Sequence, residues 1–385
     1  MGAGMEGSIL KTEKKVEYLE LIYDLIFVYI IGRNNSLLHN IEGGFISGPV
    51  FLAYVLSSLA IIQIWNYTTF YTNLYGKNGV RDHIFMFVNM YLLYYIGEGT
   101  RLHWESFQTQ YHIAWALILI NIGIQYLMQW NGNQNDSEHK ATIRGMMIAL
   151  FGEAAIVIAA IPVYHLTGVP LAGVAILYGI VATRVFADRS KTTFIDFTHL
   201  SERAMLYVVF TFGEMIIAIA SYFEGDLTRN SIYFSAMSFL IVVGLFLCYE
   251  QLYDHLIDRE RQTSGMNYMM IHLFLIFAMN LITTSLEFMR NEAVAMWPKL
   301  LLLIGAFLLY FLCLYALLIY AKAEMKQRKM LLLWAGLLSL VFVGLMLLFR
   351  NDMRLNILVS VLFVAAQFVL LKVRKHLAPN LSGKA

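Results

Sequence analysis

The feature that most constrains this chain is a succession of apolar runs of roughly 17–25 residues, each the length a helix needs to cross a bilayer. They lie near 17–34, 49–74, 83–100, 111–131, 143–164, 168–187, 199–222, 231–254, 267–289, 298–321, 330–349 and 354–373. In hydrocarbon every backbone N–H and C=O must find a partner inside the protein. An α-helix meets that demand within each segment, and an open strand does not. Composition agrees: 59% of the 385 residues are hydrophobic and only 14% charged, where a soluble domain carries about a quarter charged residues. The expected fold is therefore all-α: a polytopic transmembrane bundle of about twelve helices, with no soluble domain of any size. The first and seventh runs are the least apolar, because acids and bases interrupt them.

Several function classes fall away. A formal net charge of +2 gives no basic field for nucleic acid. Cys248 and Cys313 both sit inside apolar runs, so neither a disulfide framework nor a cysteine metal site is expected. No phosphate-binding glycine loop, dinucleotide fingerprint or His-Glu-x-x-His stretch is present. No cofactor or bound metal is expected.

The short loops predict orientation, since cytoplasmic loops are rich in Lys and Arg. Lys11, Lys14 and Lys15 precede the first run. Lys77, Arg81, Lys140, Arg144, Arg184, Arg189 and Lys191 follow even-numbered runs of the first half. Arg259, Arg261, Lys322, Lys326, Arg328, Lys329, Lys372, Arg374, Lys375 and Lys384 do so in the second. The alternate loops are poorer, with single bases such as Arg33, Arg101, Arg229 and Arg290. Both termini are thus expected in the cytoplasm. Residues 1–16 lack the apolar core of a cleavable signal peptide and read as a cytoplasmic segment. The rest divides into a first transmembrane half at 17–198, a second at 199–375 and a tail at 376–385. The first and seventh runs both start on the cytoplasmic side and both carry clustered acids, which suggests a parallel six-plus-six repeat.

Charges inside a membrane helix cost roughly 2.5–3.5 kcal/mol each on insertion scales unless they meet a partner or water. In the first run Glu17, Glu20 and Asp24 share one helical face. In the seventh, His199 and Arg203 are one turn apart, and Glu214 returns to nearly the same face three turns on. Glu202 lies beside that stripe, positioned to pair with Arg203 or a neighbouring helix. Gly213 is expected to let a backbone or ligand approach Glu214. These groups read either as a proton or cation site or as an ion-pair lattice locking the two helices together. Glu153 should sit near mid-membrane, and Glu98 near Arg101 and His103, where structural pairing is favoured. His272 lies within an apolar run, Glu287 near the end of the same run, and Glu250 and Asp254 share a face nearby. Trp65-Asn66-Tyr67 reads as a polar, aromatic helix contact.

These residues resemble the bacterial low temperature requirement protein A family. Its first helix typically carries Glu-Leu-Phe-Phe-Asp-Leu-Val-Phe-Val, and Glu20 to Val28 follow that pattern, with Ile22 and Tyr23 at the two Phe positions. Its later His-x-x-Glu-Arg, followed by Gly-Glu, is similar to His199, Glu202, Arg203, Gly213 and Glu214. Trp65, Asn66 and Arg81 look like the family's second-helix motif and the base after it. Met215 departs from the pattern, since members often carry a small hydroxyl residue there. The resemblance implies a bacterial inner membrane protein, and the family name records a growth phenotype rather than a reaction.

Taken together, the residues suggest a secondary transporter or channel-like carrier. Glu20, Asp24, Glu202, Glu214 and Glu153 would bind a proton or cation. Arg203 would hold an anionic group or tune the acids, His199 would relay protons, and His272 would be a further candidate for substrate or ion binding. An intramembrane enzyme acting on a lipid, with acid–base chemistry from the His-carboxylate-Arg cluster, is the alternative, and a membrane ligand sensor a third. Lipids and an unidentified small molecule or ion are the expected partners, and self-association stays open.

Overall fold

The computed structural model describes residues 14–39, 41–99, 104–130, 137–169, 171–187, 195–223, 228–323 and 328–376. Among these are twelve α-helices. They are α1 (Tyr18–Asn35), α2 (Gly48–Tyr75), α3 (Val80–Gly99), α4 (Trp104–Trp130), α5 (Ser137–Thr167) and α6 (Ala172–Ala182). The second six are α7 (Phe197–Ile219), α8 (Arg229–His255), α9 (Met266–Arg290), α10 (Met296–Ala316), α11 (Arg328–Leu348) and α12 (Met353–His376). A two-residue hairpin, β1 (Ile41–Glu42) and β2 (Phe45–Ile46), joins α1 to α2.

Each helix coincides with one of the apolar runs. Eight of them are long and apolar enough to cross a membrane: α2, α4, α5, α8, α9, α10, α11 and α12. The other four, α1, α3, α6 and α7, fall short of that standard. The α6 segment is a shorter apolar helix. The α1, α3 and α7 segments each carry three Asp, Glu or Arg residues. The weakness of α3 was not anticipated from sequence.

Local chemistry fixes the ends that matter. Pro49 enters the first turn of α2, where its missing N–H costs nothing. Asp196 caps α7 by accepting the His199 N–H at 3.1 Å. Gly265, at φ +64°, opens α9, and the space a side chain would need there is filled by Leu200. The chain after α6 passes directly into a π-turn, Thr183–Ala187.

Packing follows a similar order in α1–α6 and in α7–α12, although α2 also packs on α4. α1 packs on α2 and α3, α3 on α4, α4 on α5, α5 on α6, and α2 on α6. Likewise α7 packs on α8 and α9, α9 on α10, α10 on α11, α11 on α12, and α8 on α12. The halves join where α1 and α2 meet α7 and α9. The inner α9 is almost wholly buried. By contrast α11 exposes Leu333, Leu340 and Leu348, as a lipid-facing helix does.

Candidate functional site

The start of α7 is held against α1 and α2 by a buried network of charges. Arg203, fully buried, donates from one terminal nitrogen to Asp24 Oδ1 in a close ion pair. Its other terminal nitrogen donates to Thr72 Oγ1 at 2.9 Å and lies 3.7 Å from Glu20 Oε1. Trp65 Nε1 donates to the same Asp24 oxygen at 2.7 Å. The guanidinium lies 5.9 Å from the Trp65 ring centroid. Tyr23 and Thr68 share a hydroxyl hydrogen bond of 2.9 Å alongside.

The network assigns the His199 tautomer. Asn73 Oδ1 accepts the Asp196 N–H at 3.2 Å, and Asn73 Nδ2 donates to the Asp196 carbonyl at 2.8 Å. The amide is thereby oriented with its NH2 toward His199 Nδ1, 3.0 Å away. Nδ1 must then accept, and Nε2 carries the proton it donates to Glu20 Oε2 at 3.2 Å. Two carboxyl groups, Glu20 and Asp24, thus face one guanidinium in the buried seam.

Lys14 sits at the edge of this seam. Its Nζ donates to the Thr72 and Gly76 carbonyls at the end of α2, where the helix dipole favours a cation. Burial lowers its pKa below the ordinary lysine value, and the attraction of Glu20 opposes that shift. Several polar atoms around the network have no hydrogen-bond partner: Asp24 Oδ2, Arg203 Nε, the Tyr207 hydroxyl and both ends of the Asn66 amide. The Tyr207 ring packs on Trp65 at 4.5 Å.

Other expected site residues lie elsewhere. Glu202 does not pair with Arg203. It stands on the flank of α7 near Tyr253 of α8, because consecutive helix residues diverge by about 100°. Glu214 keeps to the α1-facing side of α7 but stands eleven residues from Arg203, about 16 Å at a helix rise of 1.5 Å. It is a second station rather than a member of the cluster. Its carboxylate occupies the place a Gly32 side chain would fill, with Arg33 and Glu287 as its charged neighbours. Gly213 was expected to provide that close approach, yet a Cβ there meets open space. The glycine that matters is on α1.

A narrow crevice beside this station is lined by Met215, Ala218, Tyr222, Thr283 and Glu287. Glu98 accepts from the Tyr29 hydroxyl and pairs with Arg33 at 3.6 Å. Arg101 and His103, expected near it, lie outside the described residues. Arg81 contacts Asp82 at 3.5 Å and the Tyr71 hydroxyl at 3.4 Å, away from the cluster.

His272 is a satisfied core histidine. Its Nδ1 donates to the Tyr268 carbonyl at 2.9 Å, and its Nε2 accepts from the Tyr249 hydroxyl at 3.0 Å. Both ring nitrogens thus have partners within the α8–α9 packing, apart from the charged seam. Glu250 and Asp254 are exposed. Glu153 is buried between α2 and α6, apart from the α1–α7 seam.

The partners that sequence reasoning missed are Thr72, Asn73, Asp196 and Lys14. A signal existed on α2: Trp65, Thr68, Thr72 and Asn73 recur at helical spacing within an apolar run.

A family profile described as bacterial low temperature requirement A protein matches residues 15–367, which takes in Glu20, Asp24, His199, Arg203 and Glu214. The chain belongs to this family. No curated protein and no solved structure matches it. As a member of a bacterial family with eight strongly apolar helices, it is a multi-pass membrane protein.

Proposed function

We propose that this member of the low temperature requirement A family is a secondary transporter or channel-like carrier, whose transported or coupling cation binds at the Glu20–Asp24–Arg203–His199 cluster. The observation that carries the reading is Asp24 Oδ2, a fully buried carboxyl oxygen with no partner, in a seam where two carboxyl groups face one guanidinium. A lattice built only for stability would use that oxygen, because an unsatisfied buried charge is costly. A site that loads and unloads a cation keeps it open.

Placement supports the same reading. The cluster lies where α1 and α2 meet α7, between halves of similar packing order, and relative movement of two such halves is how repeat-built carriers expose one site to alternate sides. A parallel six-plus-six repeat accords with that order. Glu214, Arg33 and Glu287 form the station at the far end of the α1–α7 seam. The distribution of Lys and Arg supports cytoplasmic termini in a bacterial inner membrane, which puts the cluster on the cytoplasmic side.

Charge movement on solid-supported membranes tests the proposal. Jumps in proton, sodium or potassium concentration should give a transient current in the wild type. Folded Asp24→Asn protein should give none. Equal currents from the two proteins would refute the assignment.

A further inference from the structure

Glu153 poses a separate problem. It stands at the middle of α5 and is fully buried. Its Oε2 accepts from the Tyr67 hydroxyl at 2.6 Å and from Gln63 Nε2 at 3.3 Å. Gln63 Nε2 also donates to the Tyr67 hydroxyl at 2.7 Å, so that hydroxyl's own proton is directed at Glu153. Among the described residues Tyr67 is the titratable group that meets this carboxyl, and no Lys, Arg or His on α2, α4, α5 or α6 acts on it. The cluster at Asp24 has a guanidinium, and this site has no cation. Glu153 Oε1 and Gln63 Oε1 are both buried without a donor. The pocket lacks positive charge and donors, not acceptors.

The local backbone is shaped around this group. At Gly179 of α6, the space of a missing side chain is taken by Glu153 Oε2, Gln63 Nε2 and the Tyr67 hydroxyl together. The Gly179 carbonyl is in turn held by Thr183 Oγ1 at 2.7 Å, in the first residue of the π-turn. Such turns often occur at functional positions. Glu153 is the one carboxyl here, and among the described residues no group of three or more His, Cys, Asp or Glu stands ready to hold a metal ion. A proton needs no such group. A buried carboxylate without a counter-charge takes up a proton rather than bear the cost of desolvation.

We propose that Glu153 is a proton-binding site distinct from the Asp24 cluster, with its carboxyl neutral in this conformation and the proton on the oxygen that has no donor. Binding is simple addition: the carboxylate accepts one proton from water, and no other bond changes. The inference deepens the carrier reading by naming the proton as a bound ion, and it rests on that reading only for the use made of the proton. Helix α2 connects the two sites, because it carries Tyr67 and Gln63 toward Glu153 and Trp65 and Thr72 toward Asp24 and Arg203.

The test is infrared spectroscopy of the purified full-length protein in lipid at neutral pH, which needs no transport activity. The wild type should show the carbonyl stretch of a protonated carboxylic acid, with the small downshift expected in D2O. Glu153→Gln should remove that band, and Glu214→Gln should keep it. Tyr67→Phe, which deletes one hydrogen bond to the carbonyl, should shift the band, and it serves as the readout if Glu153→Gln does not fold. A band unchanged in both Glu153→Gln and Tyr67→Phe, or one lost only in Asp24→Asn, overturns the proposal. So does sodium-dependent thermal stabilisation that disappears in Glu153→Gln, since that would make the ligand a metal cation. If the infrared result holds while no current appears in any ion gradient, the proton site stands and the carrier reading fails.

Discussion

Replacing Arg203 with methionine keeps an unbranched apolar stem and removes the charge. Asp24 then keeps only its bond from Trp65, and Glu20 keeps only its partners His199 and the Glu17 N–H. Breaking a buried ion pair from one side costs about 3–5 kcal/mol, because the remaining charge is left uncompensated. At about 2 °C per kcal/mol, the lower figure for large domains, the apparent Tm should fall by roughly 6–10 °C. Asp24→Asn alone is milder. Arg203 keeps Thr72 and Glu20, and the loss is about 1.5–3 kcal/mol, the worth of a charged hydrogen bond.

The double variant is the informative one. With Asp24 already neutral, the second substitution strands one acid fewer, and a coupling of about 2–3 kcal/mol should appear. Thermal unfolding in lipid nanodiscs, followed by tryptophan fluorescence, would show the double variant about 4–6 °C more stable than the sum of the single losses predicts. Strict additivity would refute the assignment of Asp24 as Arg203's principal partner.

The two glycines should behave in opposite ways. Gly32→Ala must displace the Glu214 carboxylate and should lower Tm. Gly213→Ala, in open space within a helix, should be neutral or stabilise by about 0.5–1 kcal/mol. Tyr249→Phe leaves His272 Nε2 buried without a donor and should cost about 1–3 kcal/mol with no effect on ion currents. The pKa of Lys14 is lowered in the folded state, so over the interval from that lowered value up to the ordinary lysine value the unfolded chain binds more protons. Stability contributed through Lys14 therefore rises with pH across that window. Unfolding measured from neutral to alkaline pH should show the rise in wild type and lose it in Lys14→Gln.

The helices were legible because apolar length is a local property, and all twelve coincide with apolar runs. The pairing of α1 with α7 was legible too, since two charged stripes in one membrane protein must find each other or water. What could not be read was which charges meet. Face periodicity put Glu214 in line with Arg203, three turns on, but could not show that Gly32, Arg33 and Glu287 are what it meets there. Adjacent numbering suggested Gly213 as Glu214's neighbour, whereas the close approach comes from Gly32 across a helix interface. The partners of His272, the Tyr249 hydroxyl and the Tyr268 carbonyl, could not be read from its place in an apolar run. The polar face of α2 carries most of the hydrogen bonds that organise the cluster. It has no charged residue, and its role appears only when its neighbours are in place.

The central claim is that the buried α1–α7 seam, where two carboxyl groups face one guanidinium, binds a cation that crosses the membrane. Its most direct test is proton flux into proteoliposomes under an imposed pH gradient and potential, read with an internal pH dye. Wild type should acidify the lumen, and folded Asp24→Asn and Glu20→Gln proteins should not. Flux undiminished in the folded variants, or no flux in wild type under proton, sodium or potassium gradients, would contradict the account and leave the seam a structural lattice.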